Sequence, residues 1–106
     1  MQMQSDILCA LDAVIENRKQ ANVDGSYVAL LHSKGLSAIT DKVTEEAQET
    51  VEAACSRDVN QVIYETADLW FHSLVLLSYF NCNHSDVLNE LSRRFGISGI
   101  EEKKSR

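Results

Sequence analysis

The chain has 106 residues, 44% hydrophobic and 25% charged, with four Gly and no Pro, which is room for one small domain over residues 1–106 with a modest core. Its net charge of −6 excludes a general basic footprint for nucleic acid. Its longest apolar run, Leu69 to Phe80, is interrupted by His72 and Ser73 and falls short of the ~20 residues of a membrane span, so it reads as a buried core helix. Three cysteines, Cys9, Cys55 and Cys82, have no paired spacing, and Met1 to Asp6 lacks a charged-then-apolar secretory pattern. Together these predict reduced thiols and a cytoplasmic protein.

Long 3.6-period stretches with no proline predict an all-α fold of about five helices. Ser5 or Asp6 is a candidate cap for the first helix, whose face is Ile7, Leu8, Leu11, Val14 and Ile15 as far as Arg18. Asn22, Asp24 and Gly25 mark a loop. Ser26 then caps a short helix over Tyr27 to Lys34, closed by Gly35. Ser37 is the expected cap of a third helix to about Cys55, with Ile39, Val43, Ala47, Thr50, Val51 and Ala54 as its apolar arc. Asp58 and Gln61 resemble a capping box for a fourth helix, roughly Val59 to Phe80. Ser85 is the expected cap of a fifth, with Val87, Leu88, Leu91 and Phe95 inward and Gly96 at its end. The basic residues 97–106 have little apolar content and read as a mobile tail.

Two acidic signatures stand out: Glu45-Glu46-Ala47-Gln48-Glu49 and Glu65-Thr66-Ala67-Asp68. Steps of 100° place Glu46 at the edge of the apolar arc and Glu49 about 60° further round. Glu45, one turn from Glu49, is the third candidate. On the fourth helix Gln61, Glu65, Asp68, His72 and Leu76 share a stripe. Beyond Asp68 that helix is apolar nearly all round, so it must be covered on every side. A chain this short has few helices to do so, and a homodimer packing through this helix is the expectation. Carboxylates on such a helix need a positive partner, and basic residues nearby are few. A hard cation with oxygen ligands, magnesium acting on a polyphosphate, fits better. The Glu-x-x-Asp spacing speaks against a di-iron bundle, which uses Glu-x-x-His.

Each feature also has a plainer reading. A Glu-rich helix face is commonly just solvated, and that applies most to Glu45 and Glu52. His72 reads first as a packed histidine bonded to its own helix or to Asp68, and second as a substrate contact. Trp70, Phe71, Tyr79 and Phe80 read as core and interface, and the cysteines as structural thiols without zinc spacing. Lys34 and Lys42 flank the acidic segment as candidate phosphate contacts or ordinary surface lysines.

Three stretches carry a resemblance: Lys42-Val43-Thr44-Glu45-Glu46-Ala47-Gln48-Glu49, Tyr64-Glu65-Thr66-Ala67-Asp68-Leu69-Trp70-Phe71-His72, and Ser98-Gly99-Ile100-Glu101-Glu102-Lys103 ending in Arg106. The chain resembles, from about Ser26 onward, the phosphoribosyl-ATP pyrophosphatase family of the MazG-type all-α nucleotide pyrophosphohydrolases. The paired acidic motif points to the superfamily, and the flanking residues narrow it. Thr44 departs from the Gly expected there. The resemblance implies a helical bundle completed by homodimerisation and magnesium-dependent hydrolysis of phosphoribosyl-ATP to phosphoribosyl-AMP and pyrophosphate, early in histidine biosynthesis. It implies Glu46, Glu49, Glu65 and Asp68 as metal ligands, with Glu45 assisting and Glu45 or Glu49 as base. Lys34, Lys42, His72 and the basic C-terminal residues Arg94, Lys103 and Arg106 would serve the phosphates. The competing functions are a MazG-type house-cleaning enzyme for other nucleoside triphosphates and a non-enzymatic helical dimerisation module.

Overall fold

A computed structural model of the chain describes residues 2–97 and 99–105. Its described residues form six α-helices and no strand: α1 (Gln2–Arg18), α2 (Tyr27–Lys34), α3 (Leu36–Ser56), α4 (Val59–Tyr79), α5 (His84–Arg93) and α6 (Gly99–Ser105). The two long helices α3 and α4 make the most extensive packing, joined by a two-residue turn into a helical hairpin. Helices α1 and α2 pack against this hairpin, and α5 leans on α1.

Local chemistry explains most of the boundaries. Ser26 caps α2 by accepting from the Ala29 N–H at 3.1 Å, while its own hydroxyl donates to the Arg18 carbonyl at 3.3 Å. One side chain thus starts α2 and ties it to the end of α1. Gly35 closes α2 and opens α3 at once, with φ +97 and ψ −177. Only a residue without a Cβ takes that conformation at no strain. The expected Ser37 cap is therefore displaced: α3 begins at Leu36 with no side-chain cap. At its far end Arg57 takes the left-handed conformation (φ 63), the usual way a helix is stopped. Asp58 caps α4 by accepting from the Gln61 N–H at 3.2 Å. The Gln61 side chain does not return to close a capping box; it donates to Glu65 at 2.9 Å.

Ile15, Val28, Leu31, Ile39, Leu74 and Val75 form the buried core, drawn from α1, α2, α3 and α4. Leu8, Leu11, Phe71, Leu76 and Leu77 pack around it. Fully burying a side chain of this size contributes roughly 1.5–3 kcal/mol, so these few residues carry most of the cohesion of the bundle.

Several sequence expectations are corrected here. Ser5 and Asp6 lie inside α1, which starts at Gln2. Ile7 and Val14 are exposed; the packed face of α1 is the narrower stripe Leu8, Leu11 and Ile15. On α3 the buried line is Ile39, Glu46 and Ala53, so Val51 and Ala54 face outward. The α3 face turned to α4 is thus chosen partly by a carboxylate, which a search for apolar residues misplaces. Helix α5 is capped by Asn83 in a full capping box with Asp86, two residues before the expected Ser85. Its apolar residues Val87, Leu88, Leu91 and Phe95 are exposed rather than inward. Residues 99–105, read as a tail, form α6.

Candidate active site

The hairpin brings the two acidic signatures together. One oxygen from each of Glu46, Glu65 and Asp68 lies within 4.8 Å of the others, and so does one from each of Glu45, Glu46 and Glu49. Glu46 belongs to both groups and is 4% exposed, the most buried charged side chain of the site. Its central place follows from the register of the hairpin: seven-residue spacing along α3 (Ile39, Glu46, Ala53) keeps one face against α4.

The hydrogen bonding of these carboxylates is incomplete. Glu46 Oε1 and Glu65 Oε1 are buried and have no hydrogen-bond partner among the described residues. Glu65 Oε2 accepts from Gln61, and Glu46 Oε2 lies 3.5 Å from Lys42 Nζ. A buried carboxylate oxygen left unpaired costs about one to several kcal/mol. Lys42 serves only part of this charge, since it also pairs with Glu45 at 3.1 Å. That hydrogen bond is the main reason its ammonium is held more firmly protonated than an ordinary lysine. Glu49 feels the excess of negative charge: desolvation, then the neighbouring Glu46, Glu65 and Glu45, push its carboxyl above the usual range. An all-carboxylate donor set with two orphaned oxygens fits a hard divalent cation with oxygen preference. Thiol and imidazole donors, which softer metals would add, are absent from both groups.

Behind the carboxylates stands a polar relay. His72 is buried, and its Nδ1 donates to the Asp68 carbonyl at 2.9 Å. A carbonyl only accepts, so Nδ1 carries the proton, and in the neutral ring Nε2 accepts from the Tyr27 hydroxyl at 2.8 Å. Phe71 and Tyr27 both meet the ring edge-on. His72 is therefore engaged on both nitrogens, as in the packed reading of it. Tyr27 is the site residue that sequence reasoning missed. Its phenol is raised by desolvation and by Glu46, Asp68 and Glu45, against the opposing pull of Lys42, which places it in the field of the cluster. In the sequence it shows only as the first residue after a helix cap, and nothing local reveals that it reaches across to α4.

Among the described residues, the remaining candidates make no ion pair with these carboxylates. Lys34 is exposed at the end of α2, with no ion pair to them. Arg94 is held by Glu90 at 3.0 Å, and hydrogen bonds from Arg93 first and Arg94 second draw the Glu90 carboxyl down to about 2. Lys103 is exposed on α6. Arg106 lies outside the described residues, as does Ser98 of the C-terminal motif. No helix among the described residues is long and apolar enough to cross a membrane.

Comparison with known proteins identifies the family. A family model described as "Phosphoribosyl-ATP pyrophosphohydrolase" matches residues 8–95, which hold both acidic signatures, Tyr27 and His72. A protein named "Phosphoribosyl-ATP pyrophosphatase" from Azoarcus sp. (strain BH72) is 50% identical over 101 residues, covering 95% of this chain and 94% of that protein. Another of the same name, from Aromatoleum aromaticum (strain DSM 19018 / LMG 30748 / EbN1), is 52% identical over 101 residues with the same coverage. A family model over residues 8–95 and relatives 50% and 52% identical along 95% of the chain place this chain in the phosphoribosyl-ATP pyrophosphohydrolase family.

Proposed function

We propose that this chain hydrolyses phosphoribosyl-ATP to phosphoribosyl-AMP and pyrophosphate, an early step of histidine biosynthesis, at the carboxylates of α3 and α4. One observation carries the site assignment: Glu46, the most buried charge of the hairpin, faces Glu65 with an oxygen on each left unpaired. The substrate follows from the family and from relatives named for that activity.

Glu46, Glu49, Glu65 and Asp68 would hold the divalent cation, which we take to be magnesium. When bound, such an ion offsets the charge of phosphate oxygens and lowers the pKa of a water. The chain's own residues do the rest. Glu45 is already held by Lys42, so Glu49 is the better placed carboxylate to accept the proton of the attacking water. Lys42, at the mouth of the cluster, is the cation nearest to where phosphate charge would lie. His72 keeps the Asp68 turn of α4 in place and is itself fixed by Tyr27. Lys34, Arg94, Lys103 and Arg106 are the further cations proposed to meet the leaving pyrophosphate. Cleavage between the α- and β-phosphates needs little else, because phosphoryl transfer depends mainly on positioning and charge.

We further propose a single cytoplasmic domain that works as a homodimer. The support is an apolar groove of about 320 Å³ between α1, α4 and α5, lined by Leu8, Trp70, Leu77, Val87, Leu88 and Leu91. Trp70 on its rim is 61% exposed, which is high for the one tryptophan of a small domain.

The test is a panel of phosphoribosyl-ATP and free nucleoside triphosphates, incubated with the purified protein and magnesium, with products identified. Pyrophosphate and phosphoribosyl-AMP are the expected products. Strong turnover of deoxynucleoside triphosphates without phosphoribosyl-ATP would move the chain to house-cleaning chemistry. No turnover at all, together with no effect of magnesium on thermal stability, would leave only a helical interaction module.

A further inference from the structure

A second cluster of reactive groups lies where α1 meets the start of α5, beyond the Asp68 and His72 turns of α4. Cys9 and Asp12 are one turn apart on α1 and so share a face. His84, the first residue of α5, is buried against them. Its backbone N–H donates to the Asp12 carboxylate at 3.3–3.4 Å, and its ring Nδ1 donates to Asp12 Oδ2. A carboxylate accepts, so Nδ1 bears the proton and Nε2 of the neutral ring is left as an acceptor. Nε2 faces the Cys9 thiol at 3.9 Å, within reach of an S–H donor. The thiol is exposed. It stands on the wall of a cavity of about 510 Å³ that Asp12, His84, Ser78, Asn81 and Cys82 also line. A simple tether between α1 and α5 would need only Asp12 and His84. It gives no reason for a thiol on the second ring nitrogen beside an open cavity.

We propose that Cys9 is a nucleophilic thiol with His84 as its general base and Asp12 as the residue that orients the base, and that it is a site of S-modification by small disulfides. The order thiol, imidazole, carboxylate is the nucleophile–base–orienter arrangement. In the exchange the Cys9 sulfur attacks one sulfur of the disulfide. The disulfide bond breaks as the new Cys9 S–S bond forms. His84 Nε2 takes the thiol proton and returns it to the departing thiolate, so Cys9 is oxidised as the leaving half is reduced to a thiol. The proposal does not depend on the phosphoanhydride chemistry, since none of these groups belongs to the carboxylate cluster.

The molecule carries its own reference. Cys55 is also exposed, on α3, and makes no hydrogen bond to an imidazole among the described residues. Reduced native protein is treated with a limiting amount of the neutral disulfide dithiodipyridine, and the modified cysteines are counted by peptide mass spectrometry. Cys9 is expected to react at least ~10-fold faster than Cys55, a threshold set below the ~10²–10⁴-fold that a placed base supplies, and the ratio should fall towards one in urea. His84→Gln should bring Cys9 down to the rate of Cys55 without changing Cys55. If that variant loses helical circular dichroism, Asp12→Asn replaces it, with the same result expected. A native ratio near one overturns the proposal whatever the variants do, and so does a ratio that His84→Gln leaves unchanged in a folded protein.

Discussion

Asp12 and Glu46 are both carboxylates turned into helix packing, and the chain treats them in opposite ways. Asp12 is matched from within: the His84 backbone and ring both donate to it, and the result is a joint between α1 and α5. Glu46 is more deeply buried, yet one of its oxygens has no partner, and across from it Glu65 repeats the deficiency. A buried carboxylate with its donors in the chain needs no ion to balance it. One without them carries an unfavourable charge that a bound cation or a proton relieves. The proposed cation site lies at the incomplete member of the pair.

This comparison can be broken most directly at Glu46. Glu46→Gln keeps the shape and removes the charge, so it should lower turnover of phosphoribosyl-ATP by roughly 10³-fold, the several kcal/mol expected when a metal-holding carboxylate is lost. The same variant should lose the rise in melting temperature that magnesium gives the wild type through linkage. Retained activity with an unchanged magnesium response would remove Glu46 from the site. Asp12→Ala is the converse experiment. It should cost about 2–3 kcal/mol in chemical denaturation, because His84 then loses a charged partner, while the thermal response to magnesium persists. A smaller effect is expected from Tyr27→Phe: about 1 kcal/mol of stability for a hydrogen bond lost at His72. A fall in turnover of ~10-fold or more would accompany it if the relay positions Asp68. An unchanged rate would reduce Tyr27 to a packing residue.

The smallest change should come from Glu49 in the absence of metal. Its carboxyl is raised in the folded chain above the ordinary 4.5, first by desolvation and then by its acidic neighbours. The folded state therefore binds more protons than the unfolded state between those two values, and stability from this group falls as pH rises through the raised one. Metal-free wild type should accordingly gain melting temperature as pH is lowered from neutral towards 4.5, and Glu49→Gln should melt higher at neutral pH with a flatter profile. Excess magnesium should reverse the order of the two proteins. A variant that melts lower than wild type without metal would contradict the reading of this cluster as repulsive.

Legibility followed the range of the forces involved. Helix α2 was readable end to end because Ser26 and Gly35 act on their own backbone within a turn. The start of α4 was readable for the same reason, through Asp58. Helix α5 departs from its sequence pattern: its capping box uses Asn83 and Asp86, and its apolar face is exposed on the single chain. Periodicity tells that a face exists; it does not tell what covers it. The arc on α3 went wrong at Val51 and Ala54 because the helix packs through Glu46, and an apolar pattern has no means of counting a buried acid as part of the packing face.

By itself, the sequence determined an all-helical chain, the positions of most helices and the membership of the acidic signatures on α3 and α4. These depend on propensity, capping and spacing, which act over a few residues. Only the tertiary structure decided that Glu46 joins both carboxylate groups, that it and Glu65 are left with unpaired oxygens, that Tyr27 reaches His72, and that Asp12, His84 and Cys9 meet at all. Those facts join elements through residues nineteen to seventy-five positions apart, and their distances exist only once the hairpin and its flanking helices have closed.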